Sequence, residues 1–156
     1  MSFPPGDLKR FHDAQNAGVP SALEVALAEL RSGGKRSHWI WYVLPQLRSL
    51  GRSARAQLYG IAGLAEAHAY LADPLLHQRL EAVIEVIREQ LNQPGQSLEQ
   101  LMGGGLDAAK TVSSLTLFEA AGLNSAALLL NQIGHRCTRT LATLASAPED
   151  SARSTP

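Results

Sequence analysis

The chain has 156 residues, 45% of them apolar and only 5% aromatic, and its 14 basic side chains balance 14 acidic ones. That length supports one core burying roughly 70% of the unfolded surface, and Leu, Ala, Val and Ile dominate it, which suits helices better than an all-β sandwich. Zero net charge gives no overall field towards nucleic acid or membrane, and the single cysteine, Cys137, rules out an internal disulfide.

Met1-Ser-Phe-Pro-Pro-Gly6 lacks the basic and apolar regions of a secretory signal. Asp7 is a fair N-cap for a first helix that places Leu8, Phe11 and Gln15 on one side and stops near Ala17-Gly18. Ser21-Ala-Leu-Glu24 is a capping box opening a second helix, with Leu23, Ala26, Leu27 and Leu30 on its buried face and Gly33-Gly34 at its end. The chain then enters Lys35-Arg-Ser-His-Trp-Ile-Trp-Tyr-Val-Leu-Pro-Gln46, which holds both tryptophans. Trp39 to Leu44 is a run of six apolar residues, and periodicity does not separate a buried strand from a buried helix over so short a run. A strand would align His38, Ile40, Tyr42 and Leu44. A helix would align Lys35, His38 and Tyr42, with Pro45 ending or kinking it before Gln46.

Gly51-Arg-Ser53 reads as a turn and N-cap before a short helix over 54–60, and a further short helix is expected over 64–72. Asp73-Pro74 is the clearest helix start in the chain. From it runs a stripe of Leu76, Leu80, Val83, Ile84, Ile87 and Leu91 that marks a central helix. Ser97-Leu-Glu-Gln100 is a second capping box, ahead of Gly103-Gly-Gly105. Asp107 is read as the cap of a helix reaching about Ala121, with Val112, Leu115 and Phe118 on one side and Lys110, Ser113 and Ser114 on another. Two more helices, near 124–133 and 136–145, complete the set. Residues 1–146 are expected to form one helical domain, and 147–156 a disordered tail. Leu117 to Ile133 is apolar, but Glu119, Asn124 and Asn131 interrupt it well short of a membrane span, so the protein is expected in the cytoplasm with no membrane partner.

Several chemical motifs are excluded. Gly104 to Thr111 is one residue from a P-loop, but Ala109 stands where the second glycine belongs, Asp107 would repel phosphate, and no strand precedes it. The five histidines have no metal-ligand spacing, so no metal and no cofactor are expected. Without a recognisable reading element, double-stranded nucleic acid is not an expected partner. Cys137 reads as a small buried thiol rather than a nucleophile.

His38-Trp-Ile-Trp-Tyr-Val-Leu-Pro-Gln46, Gly51-Arg-Ser53 and Ser113-Ser-Leu-Thr-Leu-Phe118 resemble an uncharacterised bacterial family catalogued as domain of unknown function eighteen-ten, some members of which carry the label calpastatin. The resemblance extends from about Asp7 to Leu144 and includes Arg10-Phe11, Gln15, Lys35, Tyr59, Glu66 to Leu71 and Lys110. It implies a mainly helical array, which favours helix over strand for Trp39 to Leu44, and it implies no established activity. Tyr42 stands where that family usually has Phe, adding a hydroxyl beside His38. Gly134-His-Arg-Cys-Thr-Arg-Thr140 resembles a Gly-x-x-Asp-x-x-Thr element, with Cys137 in the place of the aspartate.

The fold expected is therefore all-α, a single array of seven to nine helices; an α+β alternative lacks partner strands. No acidic residue lies between Glu29 and Glu66, whereas Arg31, Lys35, Arg36, Arg48, Arg52 and Arg55 all do. Those cations either concentrate an anion or pair with carboxylates from elsewhere. The candidate site sets Lys35, His38, Trp39, Trp41, Tyr42 and Gln46 opposite Lys110, Ser113, Ser114 and Thr116. Such a cleft would take a small anionic, nucleotide-like ligand: lysines for charge, an indole for stacking, Gln46 for a polar edge. His38 is the candidate general acid or base. The competing reading is a non-catalytic helical module whose basic surface meets an acidic protein partner.

Overall fold

A computed structural model describes residues 7–146; the expected tail, 147–156, lies outside the described residues. Ten α-helices follow in order: α1 Lys9–Asn16, α2 Ala22–Arg31, α3 Ile40–Val43, α4 Ala54–Tyr59, α5 Leu64–Ala72, α6 Pro74–Leu91, α7 Leu98–Met102, α8 Gly105–Ala120, α9 Asn124–Ile133 and α10 Thr138–Ala145. A 3-10 turn at Arg48–Leu50 lies between α3 and α4. Among the described residues the helices outnumber the seven to nine expected, because α3 and α7, one-turn elements of four and five residues, each close as separate helices. Among the described residues there is no β-strand, and extended pairing is limited to one parallel bridge. In it, Ile61 N–H donates to Gln46 O at 2.9 Å and Arg48 N–H donates to Ile61 O at 2.8 Å.

The strongest sequence signals became structure. Ser21 and Glu24 form a complete capping box, as do Ser97 and Gln100, and Asp73 caps α6 through Leu75 N–H and Leu76 N–H. Six side chains of α6 are buried, Leu76, Leu80, Val83, Ile84, Val86 and Ile87. At about 1.5 to 3 kcal/mol for each buried aliphatic side chain, that face outweighs the roughly 1 kcal/mol of a cap. Helix α6 packs against α2, α5, α7 and α9, while α8 is enclosed by α3, α5, α7, α9 and α10.

That enclosure explains why α8 does not have the polar side expected of it. Thr111 to Phe118 are all buried. All the hydroxyls on this helix but that of Ser114 are satisfied internally: Thr111 Oγ1 donates to Asp107 O at 2.9 Å, Thr116 Oγ1 donates to Val112 O at 2.7 Å and accepts from Cys137 N–H at 3.0 Å, and Ser113 Oγ bonds Thr140 Oγ1 at 3.0 Å. Small hydroxylated residues let α10 approach closely and give its first turn partners.

Two expected caps differ. Leu8, not Asp7, occupies the N-cap of α1, although Asp7 Oδ1 accepts from Lys9 N–H at 2.9 Å. Helix α8 begins at Gly105, after Gly103 at φ +82° closes α7, so Asp107 falls inside its first turn. A carboxylate there still favours the helix dipole.

A buried polar staple ties the N-terminal helix to the turn between α4 and α5. Arg10 reaches Glu66 at 3.0 Å and donates to Leu58 O at 2.9 Å and Gly60 O at 3.0 Å, as well as to Asp7 O. Glu66 Oε1 accepts from Ala62 N–H at 2.7 Å. Both residues are almost fully buried, and removing one partner from such a pair costs on the order of 3 to 5 kcal/mol. Gly60, held by this staple, lies so close to Arg48 that a Cβ would sit 2.4 Å from the Arg48 Cα. A side chain at position 60 would push the 46–51 segment off α4.

Candidate functional site

The Lys35–Gln46 segment is organised from outside by Glu29, in the last turn of α2. Its carboxylate accepts from Arg36 N–H at 2.8 Å, Ser37 N–H at 2.9 Å, the Ser37 hydroxyl, and Trp39 Nε1–H at 2.9 Å. Burial alone would raise the Glu29 pKa, but these hydrogen bonds outweigh it and hold the carboxyl at about 2. No local spacing pointed to Glu29, because the residues it gathers lie seven to ten positions downstream.

Trp39 and Trp41 consequently have different roles. Trp39 is 1% exposed, a core residue with its indole N–H satisfied by Glu29. Trp41 is half-buried. Trp39 is the non-helical N-cap of α3 and Trp41 lies on its single turn, so the two indoles leave the chain in different directions. The expected stripe of Lys35, His38 and Tyr42 does not form, since α3 starts only at Ile40.

Beside Trp41 opens a narrow cleft of about 10 Å³, about the room one water needs, continuous with solvent. Buried Ile40, Leu44, Ala56 and Gly60 form its floor, and half-buried Trp41, Gln46, Tyr59 and Lys110 its rim. No carboxylate lines it. Lys110 Nζ lies 5.3 Å and Arg55 Cζ 5.0 Å from the Trp41 ring centroid. The exposed His38 ring is tilted 34° to the same indole at 6.5 Å. Tyr59 leads from the rim into the core through Phe11, Tyr70 and Phe118, with ring centroids 6.3, 5.2 and 5.0 Å apart in turn, so a line of tilted and edge-on aromatic contacts backs the cleft.

The candidate residues therefore divide. Trp41, Gln46 and Lys110 meet at the cleft, with His38 beside it. Lys35 lies close by but is committed: its side chain is 5% exposed, its ammonium sits 2.7 Å from Asp107 Oδ2, donates to Ser37 O at 2.6 Å and lies 5.0 Å from the Trp39 ring centroid. Tyr42 stands behind the rim, its hydroxyl donating to His38 O at 3.4 Å and its ring meeting Tyr59 edge-on at 5.3 Å. Ser113, Ser114 and Thr116 do not form the opposite wall. They are buried, Ser113 and Thr116 turn to α10 and its N-terminal cap, and the Ser114 hydroxyl has no hydrogen-bond partner among the described residues. Arg55, which no motif singled out, takes their place in the cleft's surroundings. Of the six cations between Glu29 and Glu66, only Lys35 is ion-paired among the described residues.

A larger groove of about 340 Å³ lies between α7, α8 and α9, lined by Leu98, Ala108, Val112 and Ile133 with Glu99 and His135 at its edges. A carboxylate and the lack of any lysine or arginine make it a poor anion site. Among the described residues no three His, Cys, Asp or Glu side chains gather as metal ligands, and no helix is long and apolar enough to cross a membrane.

No curated protein matches the chain. A crystal structure at 1.38 Å of the conserved hypothetical protein Rv1873 from Mycobacterium tuberculosis is similar, with 41% identity and a TM-score of 0.80 over 91% of this chain and 99% of that one. That relative has the same helical fold and carries no assigned activity in its description. Residues 5–144 match the family described as "Protein of unknown function (DUF1810)", and the chain belongs to that family.

Proposed function

We propose that the protein binds a small anionic ligand with a flat, nucleotide-like part in the cleft beside Trp41. The observation that supports this is a half-buried indole carrying two cations at the mouth of an apolar cleft that no carboxylate lines. The flat part would lie across the cleft mouth against Trp41, with Gln46 meeting a polar edge and the cations the charge. His38, whose ring lies 6.5 Å from the Trp41 indole, is the candidate proton carrier nearest the cleft. Its ring makes no hydrogen bond among the described residues, so our proposal is binding rather than turnover. A cytoplasmic location accords with a lone, unpaired thiol.

The competing proposal, a basic surface for an acidic protein partner, draws on the exposed, unpaired Arg36, Arg52 and Arg55. Concavity favours the ligand. A thermal-shift screen of nucleoside monophosphates and sugar phosphates separates the two. Ligand at a hundredfold excess over its Kd adds about 2.7 kcal/mol, and each kcal/mol moves Tm by about 2 to 4 °C for chains of roughly this length. A hit is expected to raise Tm by about 5 to 10 °C, and Trp41→Ala or Lys110→Ala to lose most of that shift. Equal stabilisation of all three proteins would contradict the proposal.

A further inference from the structure

We infer that Arg55 and Lys110 together hold a doubly charged phosphate group at the rim of the Trp41 cleft. The inference rests on the cleft being a ligand site and adds the class of ligand and the residue that selects it. Both cations lie against one indole, which places them within roughly a Debye length, about 10 Å, of each other. Like charges so placed repel unless an anion lies near both, and the protein supplies almost none. Arg55 is exposed and has no ion pair among the described residues. The carboxylate near Lys110, Asp107, is 3.8 Å away and already in contact with Lys35 at 2.7 Å through its other oxygen. Two lysines share one carboxylate and Arg55 adds a third cation, leaving an excess of two positive charges beside the indole.

A phosphate monoester brings nearly two negative charges at neutral pH, together with three acceptor oxygens. A monocarboxylate or a phosphodiester brings one. The guanidinium fork suits two phosphate oxygens at once, while the ammonium acts as a point charge. The cation–π contact, with Arg55 Cζ 5.0 Å from the Trp41 ring centroid, restrains an otherwise exposed side chain. The neighbouring arginines fit less well: Arg48 Nη2 donates to Gly60 O at 3.4 Å, and Arg52 makes no ring contact. With the phosphate at the rim, the uncharged part lies across the mouth of the cleft, whose lining includes apolar Ile40, Leu44 and Ala56.

The test is calorimetric titration with whichever of AMP, GMP, CMP and UMP binds best, its nucleoside, and its 3′,5′-cyclic ester. The proteins are wild type, Arg55→Gln, Lys110→Gln, Trp41→Ala and, as an exposed-arginine control, Arg139→Gln. Wild type is expected to bind the monophosphate at least tenfold more tightly than the nucleoside or the cyclic ester. Arg55→Gln and Lys110→Gln should each weaken the monophosphate at least tenfold and leave the nucleoside unchanged, and Arg139→Gln should match wild type. A 5′-phosphorylated RNA trinucleotide run alongside identifies the source: tighter binding than the free nucleotide points to a strand end, weaker binding to the free nucleotide, and either supports the phosphate group. Should Arg55→Gln bind the monophosphate as wild type does, while Trp41→Ala loses both monophosphate and nucleoside, the phosphate assignment fails and the cleft stands. Should wild type bind none of the nucleotides, both fail.

Discussion

Position 137 carries a thiol at the N-cap of α10, where Sγ accepts from Thr140 N–H at 3.4 Å. Burial raises the Cys137 pKa, but hydrogen bonds from Thr140, Ser113 and Arg139 outweigh it and bring the thiol below its ordinary value. Sulfur is a weak acceptor at long range, whereas an aspartate caps strongly and meets the positive end of the helix dipole. The Gly134 to Thr140 resemblance, with its usual aspartate, thus has a structural reading as a helix cap. Cys137→Asp is expected to stabilise the protein by about 0.5 to 1 kcal/mol, read as a rise of a few degrees in Tm; a fall in Tm would show that packing around the thiol outweighs the cap. The same scale shows what sequence spacing could and could not show. Ser21 and Ser97 announce their caps through neighbours three residues on and Asp73 through the proline that follows it, but the pairing of Arg10 with Glu66 joins residues that no short motif connects.

Among the elements, the long amphipathic α6 was legible because its stripe repeats for about four turns, and α3 was not, because one turn has no period to read. What decides the path from Ser32 to Trp39 is the Glu29 carboxylate, one helix upstream. Its consequence is a pH dependence of defined sign. The folded pKa of about 2 lies below the ordinary 4.5, so the stabilisation is complete above about pH 4.5 and disappears as pH falls towards 2. Asp73 and Glu119 are lowered as well and contribute in the same direction. Acid titration followed by tryptophan fluorescence should report it, since the Trp39 indole donates to Glu29. Glu29→Gln is expected to unfold more readily at pH 7 and to lose part of the wild-type sensitivity between pH 4.5 and 2; an unchanged acid profile would mean that Glu29 does not organise this segment. The α8 hydroxyls illustrate the opposite failure. Lys110, Ser113 and Ser114 share a side by spacing, but the enclosure by five other helices is a property of the whole array, and it leaves only Lys110 at the cleft.

Across the whole molecule, a net charge of zero conceals a segregation that folding preserves. The carboxylate-free span from position 30 to 65 supplies most of the cleft, and Lys110, from α8, is added to it. The basic character of the site was therefore legible as a gap in the acidic residues. Its composition was not, because Lys35 is neutralised by Asp107 from a helix some seventy residues away and Arg55 is brought to Trp41 by the clamp of Gly60 against Arg48. The two tryptophans also provide a built-in comparison, one indole at the cleft and one in the core. Uniform ¹⁵N labelling gives each indole Nε1–H its own resonance, and titration with a nucleoside monophosphate reads both in one sample. A ligand in the proposed cleft shifts the Trp41 indole resonance in a saturable way and leaves that of Trp39 in place; a ligand that binds while the Trp41 resonance stays still contradicts the cleft.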